Sequence, residues 1–192
     1  MIRKSAVVLA FLLIGAAAFR GGSLAVFTDT ATVPANTFTA GTIDISTAPA
    51  SALVTYSAMA PGDTTTQSLV VTNAGTLALR YAITASATNA DTLGLKDQLT
   101  LVVKTIDVTT PASACNDFDG TQLYTGDLDS GVGGVLVGDV AQGAQAGDRA
   151  LAAAATETLC FRVSLPLATG NTFQGATTTA TFTFTAEQTT NN

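Results

Sequence analysis

Apolar and polar residues alternate with a period of two along much of the chain, the pattern of strands with one face buried and one face wet. Residues 181–186 read TFTFTA, which places Phe182, Phe184 and Ala186 on one face and Thr181, Thr183 and Thr185 on the other. The same alternation links Leu79, Tyr81 and Ile83, then Leu99, Leu101 and Val103, then Leu159, Phe161, Val163 and Leu165. Shorter β-like segments run from Thr37 to Ser46, Leu53 to Ser57 and Ser68 to Asn73. In the first of these, Phe38 and Ala40 have a phase that Ile43 and Ile45 do not share, so the register is expected to slip near Gly41 through a glycine bulge. A second change of phase separates Val103 from Ile106 and Val108. Turn-type sequences fall between the runs, at Pro34 to Asn36, Ala60 to Asp63, Asn73 to Gly75 and Ala168 to Asn171. Bent strands at this spacing, with little helical periodicity, predict an all-β fold: a single-domain antiparallel β-sandwich, jelly-roll-like in architecture.

Two stretches depart from the alternation. Asp148 to Glu157 contains the alanine run Ala152 to Ala155, which suits a short helix by propensity and equally a loop before the Cys160 strand. Residues 117–147 are rich in glycine and aspartate with only a brief apolar patch (Val132, Val135, Leu136, Val137), and they read as a long insertion, about 109–157 in all, with room for a small hairpin.

The N-terminus changes the picture of where the chain works. Arg3 and Lys4 precede the apolar stretch Ala6 to Phe19, which is shorter than the roughly 20 residues a spanning helix needs. Ser23, Leu24 and Ala25 then supply a small-residue cleavage site, so residues 1–25 read as a secretory signal peptide cut between Ala25 and Val26. The other reading, an uncleaved anchor, has to accommodate Arg20, Gly21 and Gly22 interrupting the apolar run. Cleavage leaves residues 26–192 as the sandwich domain, with no stable membrane span expected. It also removes three of the eight basic residues and none of the 14 acids, so the net charge becomes 5 minus 14, or −9. Such a surface repels nucleic acid, which is not an expected partner.

Export also bears on the two cysteines, Cys115 and Cys160. In an oxidising compartment an even pair within one domain most simply forms a single disulfide. It would close a loop of about 45 residues, worth about 3 to 4 kcal/mol in the chain-entropy model. Two thiols without histidine do not make a standard zinc site.

Histidine is absent from the whole chain, which removes the Ser-His-Asp triad, the Cys-His dyad and the HExxH zinc helix together. No phosphate loop, dinucleotide fingerprint or GxSxG elbow occurs. A carboxylate pair remains conceivable, but the scattered acids are expected for solubility alone, so no catalytic residue and no cofactor is assigned. The sharpest local cluster is Asp117 and Asp119 beside Gly120, with Asp127 and Asp129 before Gly131. Alternate aspartates beside glycine suit calcium, which takes several oxygen ligands from a tightly turning backbone. The spacing lacks the EF-hand pattern, and a solvated acidic loop is the plainer reading.

Several of these motifs, taken in order, resemble the TasA/camelysin family of secreted bacterial and archaeal surface proteins. The carriers are GGSLAVFTDTATVPANTFTAGTIDIS (Gly21 to Ser46), MAPGD (Met59 to Asp63), LVVTNAG (Leu69 to Gly75), LRY (Leu79 to Tyr81) and FTFTAEQT (Phe182 to Thr189). The likeness covers both ends and the first strands, and is thin from Thr109 to Ala168. It implies a jelly-roll sandwich, a signal peptide processed by a dedicated SipW-like signal peptidase, and a role in extracellular fibres, biofilm matrix or pilus-like filaments. In such assemblies the N-terminal strand freed by cleavage fills a groove in the neighbouring subunit, making the chain its own partner as a homopolymer. The donor here would be residues 26–33, with Val26, Phe27, Ala31 and Val33 as its apolar plugs; an ordinary first strand of the same subunit is the plain alternative. A monomeric cell-surface binding or adhesion module of the same fold is the alternative function. The resemblance also extends to members described as camelysin, a casein-cleaving metallopeptidase, although a chain without histidine offers that activity no readable mechanism.

Overall fold

In a computed structural model of the chain, residues 29–32, 34–51, 53–129 and 133–191 are described. They fall into two units, Met1–Thr39 and Ala40–Asn192. In the first unit the described residues are exposed and without regular secondary structure, Phe38 being 95% exposed. The second unit is the predicted sandwich.

Its strands are β1 (Ile45–Ala48), β2 (Thr64–Asn73), β3 (Leu79–Ala87), β4 (Thr100–Thr105), β5 (Gln122–Gly126), β6 (Val135–Val137), β7 (Arg149–Leu151), β8 (Thr156–Ser164) and β9 (Ala180–Gln188). A short helix, α1 (Leu95–Gln98), precedes β4. The first sheet has the order β1-β2-β8-β4-β5. In the second, β3 pairs along its whole length with β9, while β6 and β7 share its other edge, β6 at Ile83 and Thr84 and β7 at Leu79 to Tyr81. All of these pairings are antiparallel. Because β2 and β3, β3 and β4, β5 and β6, β7 and β8, and β8 and β9 lie in different sheets, the chain wraps repeatedly around one core.

The period-two pattern does what it predicts. Leu69 and Val71 of β2, Leu101 and Val103 of β4, and Leu159, Phe161 and Val163 of β8 point inward from the first sheet, and Leu79, Tyr81, Ile83 and Ala85 of β3 from the second. Phe161 meets Phe182 across the gap with ring centroids 5.2 Å apart, and Tyr81 meets Phe184 at 6.0 Å. The phase change after Val103 marks the end of β4: Lys104 and Thr105 keep regular register with β8, Ile106 and Val108 lie beyond the strand, and the register shift against β5 leaves the extra residue, Leu123, on β5.

Elsewhere the apolar pattern has other causes. Leu53 and Met59 pack on the core from loops, so Leu53 to Ser57 forms no strand. Residues 37–44 form none either, so there is no glycine bulge at Gly41; what requires glycine there is steric, since a Cβ would lie 2.6 Å from the Leu77 side chain. Asp148 to Glu157 is neither helix nor loop alone, for it holds β7, a turn with Ala154 at φ 58°, and the start of β8. Residues 109–157 contribute β5 to the first sheet and β6 and β7 to the second, so this glycine-rich stretch is woven into both layers.

Candidate functional site

The two N-terminal motif blocks meet in space. The amide groups of Ala74, Thr76 and Leu77 donate to the carbonyls of Asp44 and Thr42, and Gly75 is so close beneath this crossing that a Cβ would lie 2.5 Å from the Thr42 carbonyl. Asn73, fully buried, holds the corner. Its Nδ2 donates to Leu77 O at 2.8 Å and Ala152 O at 3.0 Å, and its Oδ1 accepts from Gly75 N–H at 2.9 Å. The sandwich therefore grips the incoming chain from Thr42 onward. Of the predicted donor and cleavage residues, Ala25, Val26, Phe27 and Val33 lie outside the described residues; Ala31 is exposed and outside any strand.

The edges of the sandwich are unequal. β5 lies beside β6, and β1 is only four residues long. β9 runs for nine residues, and from Ala180 to Ala186 no strand among those described pairs with its outer edge. Phe182, Phe184 and Ala186 are only partly buried although they face the core. Asp91 fastens the approach to this strand, accepting from Thr177 N–H at 2.6 Å and Leu93 N–H at 3.0 Å. These bonds, that from Thr177 foremost, hold its carboxyl below the usual carboxylate range.

Cys115 and Cys160 are bonded, with S–S 2.00 Å and Cα atoms 5.3 Å apart. The four aspartates singled out as calcium candidates do not converge. Asp119 accepts from the N–H groups of Val108 and Thr109, and Asp117 from the Thr110 hydroxyl, so both shape their own loop. Asp127 and Asp129 instead join Asp97, a residue the local spacing gave no reason to select, with ligand oxygens within 4.8 Å of one another. Lys96 already brings a positive charge there, its ammonium 2.5 Å from Asp97 Oδ1 and 3.1 Å from Asp129 Oδ2. Its pKa is raised, chiefly by the hydrogen bond to Asp97.

A second polar group was invisible in the local pattern. Glu157 of β8 accepts from the Tyr81 hydroxyl at 2.6 Å and pairs with Arg149 of β7, tying the sheets together. Burial first, and Glu157 second, push the Tyr81 phenol well above its ordinary pKa. Arg80 pairs with Glu187 at 2.5 Å, so β9 is also tied to β3 by charge.

Among the described residues these features define a β-sandwich with an anchored N-terminal entry and one long open sheet edge. The family model described as camelysin metallo-endopeptidase matches residues 1–192, and the chain belongs to that family. No curated protein matches the chain. The family's description implies a metal centre, and the residues present do not fit a standard zinc-peptidase site: histidine is absent, both cysteines are oxidised, and the three-carboxylate group among the described residues holds a lysine ammonium. No helix among the described residues is long and apolar enough to cross a membrane.

Proposed function

We propose that the chain is a secreted structural subunit that polymerises into extracellular fibres by donating its N-terminal segment to the open sheet edge of a neighbour. The observation that carries this reading is the outer edge of β9. A long edge strand is a template for another strand, and proteins normally blunt it with lysine, proline, a bulge or a covering loop. Ala180 to Gln188 reads ATFTFTAEQ, with no lysine, proline or glycine, and it pairs with β3 without a register shift. Its inward residues stay half-exposed, so an added strand has both a ladder to join and apolar surface to cover.

Residues 26–33 suit the complementary role, since Val26, Phe27, Ala31 and Val33 supply the apolar plugs. Cleavage between Ala25 and Val26 would free that segment, coupling export to assembly. Its successor from Thr42 onward is held by the 74–77 turn, so the donor would leave from a fixed point. A head-to-tail contact of this type does not close, and it propagates.

The experiment compares the chain beginning at Val26 with one lacking residues 26–33, both imaged by electron microscopy. Filaments are expected from the first and monomers from the second. Filaments that survive the deletion would remove the donor role, and a first form that stays monomeric at high concentration would favour the surface-module alternative.

A further inference from the structure

Residues 106–121 lie over the outer face of the first sheet and make an apolar cluster of their own. Cys115, Phe118 and Cys160 are its buried members, with Val102 and Ala114 packed against them, and none of these belongs to the main core between the sheets. Polar bonds inside the segment give it an internal shape. Asp119 accepts from Val108 and Thr109, Asp117 from Thr110, and the buried Asp107 accepts from Asp117 N–H at 2.9 Å.

It is tied to the sheet at its end and in its middle: where it runs into β5, Thr121 O accepts from Thr105 N–H at 2.9 Å and Thr121 N–H donates to Thr105 Oγ1 at 2.8 Å. Lys104 lies 4.8 Å from the Phe118 ring centroid and donates to the Phe118 carbonyl at 2.8 Å; the Arg162 guanidinium lies 3.7 Å from the same ring. The disulfide joins Cys115 to the middle of β8, where Cys160 is paired with Ser68 on one side and Lys104 on the other. Cys115 and Phe118, the two residues that make the clasp, are both non-glycine residues at positive φ, 70° and 52°. Side chains adopt that region at a cost, so the bound form of the segment is held under strain.

We propose that residues 106–121 are a redox-released strap, clasped to the first sheet while Cys115 and Cys160 are bonded and set free as a unit when a dithiol reductant reaches them. Two electrons and two protons pass to the protein disulfide, giving two thiols, and the reductant becomes a disulfide. The sandwich stays folded beneath, because Leu101, Val103, Leu159, Phe161 and Val163 are buried from the opposite face of the sheet. Release relieves the strain at Cys115 and Phe118 and uncovers Val102, Cys160 and an aromatic ring beside two cations. The strap would thus give an extracellular subunit a surface that differs between oxidising and reducing surroundings.

Hydrogen exchange read by mass spectrometry on the chain, with and without dithiothreitol, tests this. Amides in 106–121 are expected to lose at least tenfold in protection on reduction while those of β2, β3 and β9 keep theirs, and chymotrypsin should then cut after Phe118. Unchanged protection in the strap would overturn the proposal, as would loss spreading to β2, β3 and β9. The double variant Cys115→Ala, Cys160→Ala should reproduce the reduced pattern without reductant, and its failure to fold would equally count against a separable strap. Phe118→Leu with the disulfide intact should keep the strap protected; release by that change alone would move the clasp from the disulfide to the ring.

Discussion

β8 and β9 are written in the same code and meet different fates. Each has nine residues, each alternates apolar with polar, and each sends an aromatic into the same core, Phe161 from one and Phe182 from the other. β8 has β2 and β4 on its two edges and the strap on its outer face, so Leu159, Cys160 and Phe161 are all 0% exposed. Among the described residues β9 has β3 on one edge only, and its aromatics stay half-exposed. Alternation specifies which face of a strand is buried and says nothing about how many neighbours flank it. The difference between an interior brace and an open edge is set by topology, and the open edge is the acceptor that the proposed strand donation requires.

Phe161→Ala removes a fully enclosed ring and should cost about 3 to 5 kcal/mol, whereas Phe182→Ala, already partly wet, should cost about 1 to 2 kcal/mol in the monomer. Urea melts of the two variants check this. Equal losses would mean that β9 is as enclosed in solution as β8, and the edge would lose its claim as an acceptor.

The next effect concerns only β8. Removing the disulfide with Cys115→Ala and Cys160→Ala should lower stability by about 3 to 4 kcal/mol, since the loop of about 45 residues regains its freedom in the unfolded chain. In thermal melts the wild-type chain with reductant should fall on the variant's curve, and without reductant it should melt higher. A loss near zero would show that freeing the strap in the folded chain offsets the freedom the unfolded chain regains.

How much of this was legible in advance follows from what alternation encodes. Leu79 to Ile83, Leu99 to Val103, Leu159 to Leu165 and Thr181 to Ala186 were readable because each side chain reports its own face. Leu53 was not, because an apolar residue docking from a loop looks like a strand residue in one dimension. The cysteine pair was legible from its count and compartment. Asp97 joining Asp127 and Asp129, Glu157 under Tyr81, and Asn73 bonding Ala152 were not, since each contact joins residues that are distant in sequence. Gly75 looked like turn punctuation, yet the crossing backbone of residues 42–44 gives the stricter reason for it.

Tyr81 sharpens the comparison most finely because it touches both strands, its ring against Phe184 of β9 and its hydroxyl on Glu157 of β8. Tyr81→Phe keeps the first contact and deletes the second, so at neutral pH it should cost about 1 kcal/mol. Alkaline conditions should invert that ranking. The folded phenol's pKa is raised above its ordinary 10.0, chiefly by burial, so its contribution is intact below pH 10 and is lost as pH rises through the folded value. In that window the unfolded chain releases the proton while the folded chain retains it, and stability falls by up to about 1.4 kcal/mol per pH unit. Phenylalanine has no such proton, so the variant's deficit should shrink above pH 10 and reverse within about one further unit. Tyr56, whose pKa is also raised, is common to both chains and cancels in the difference. Chemical melts of the two proteins at pH 8, 10 and 11 supply the test, because parallel pH dependences would mean that the hydroxyl titrates freely and that the link from β3 to β8 is open in solution.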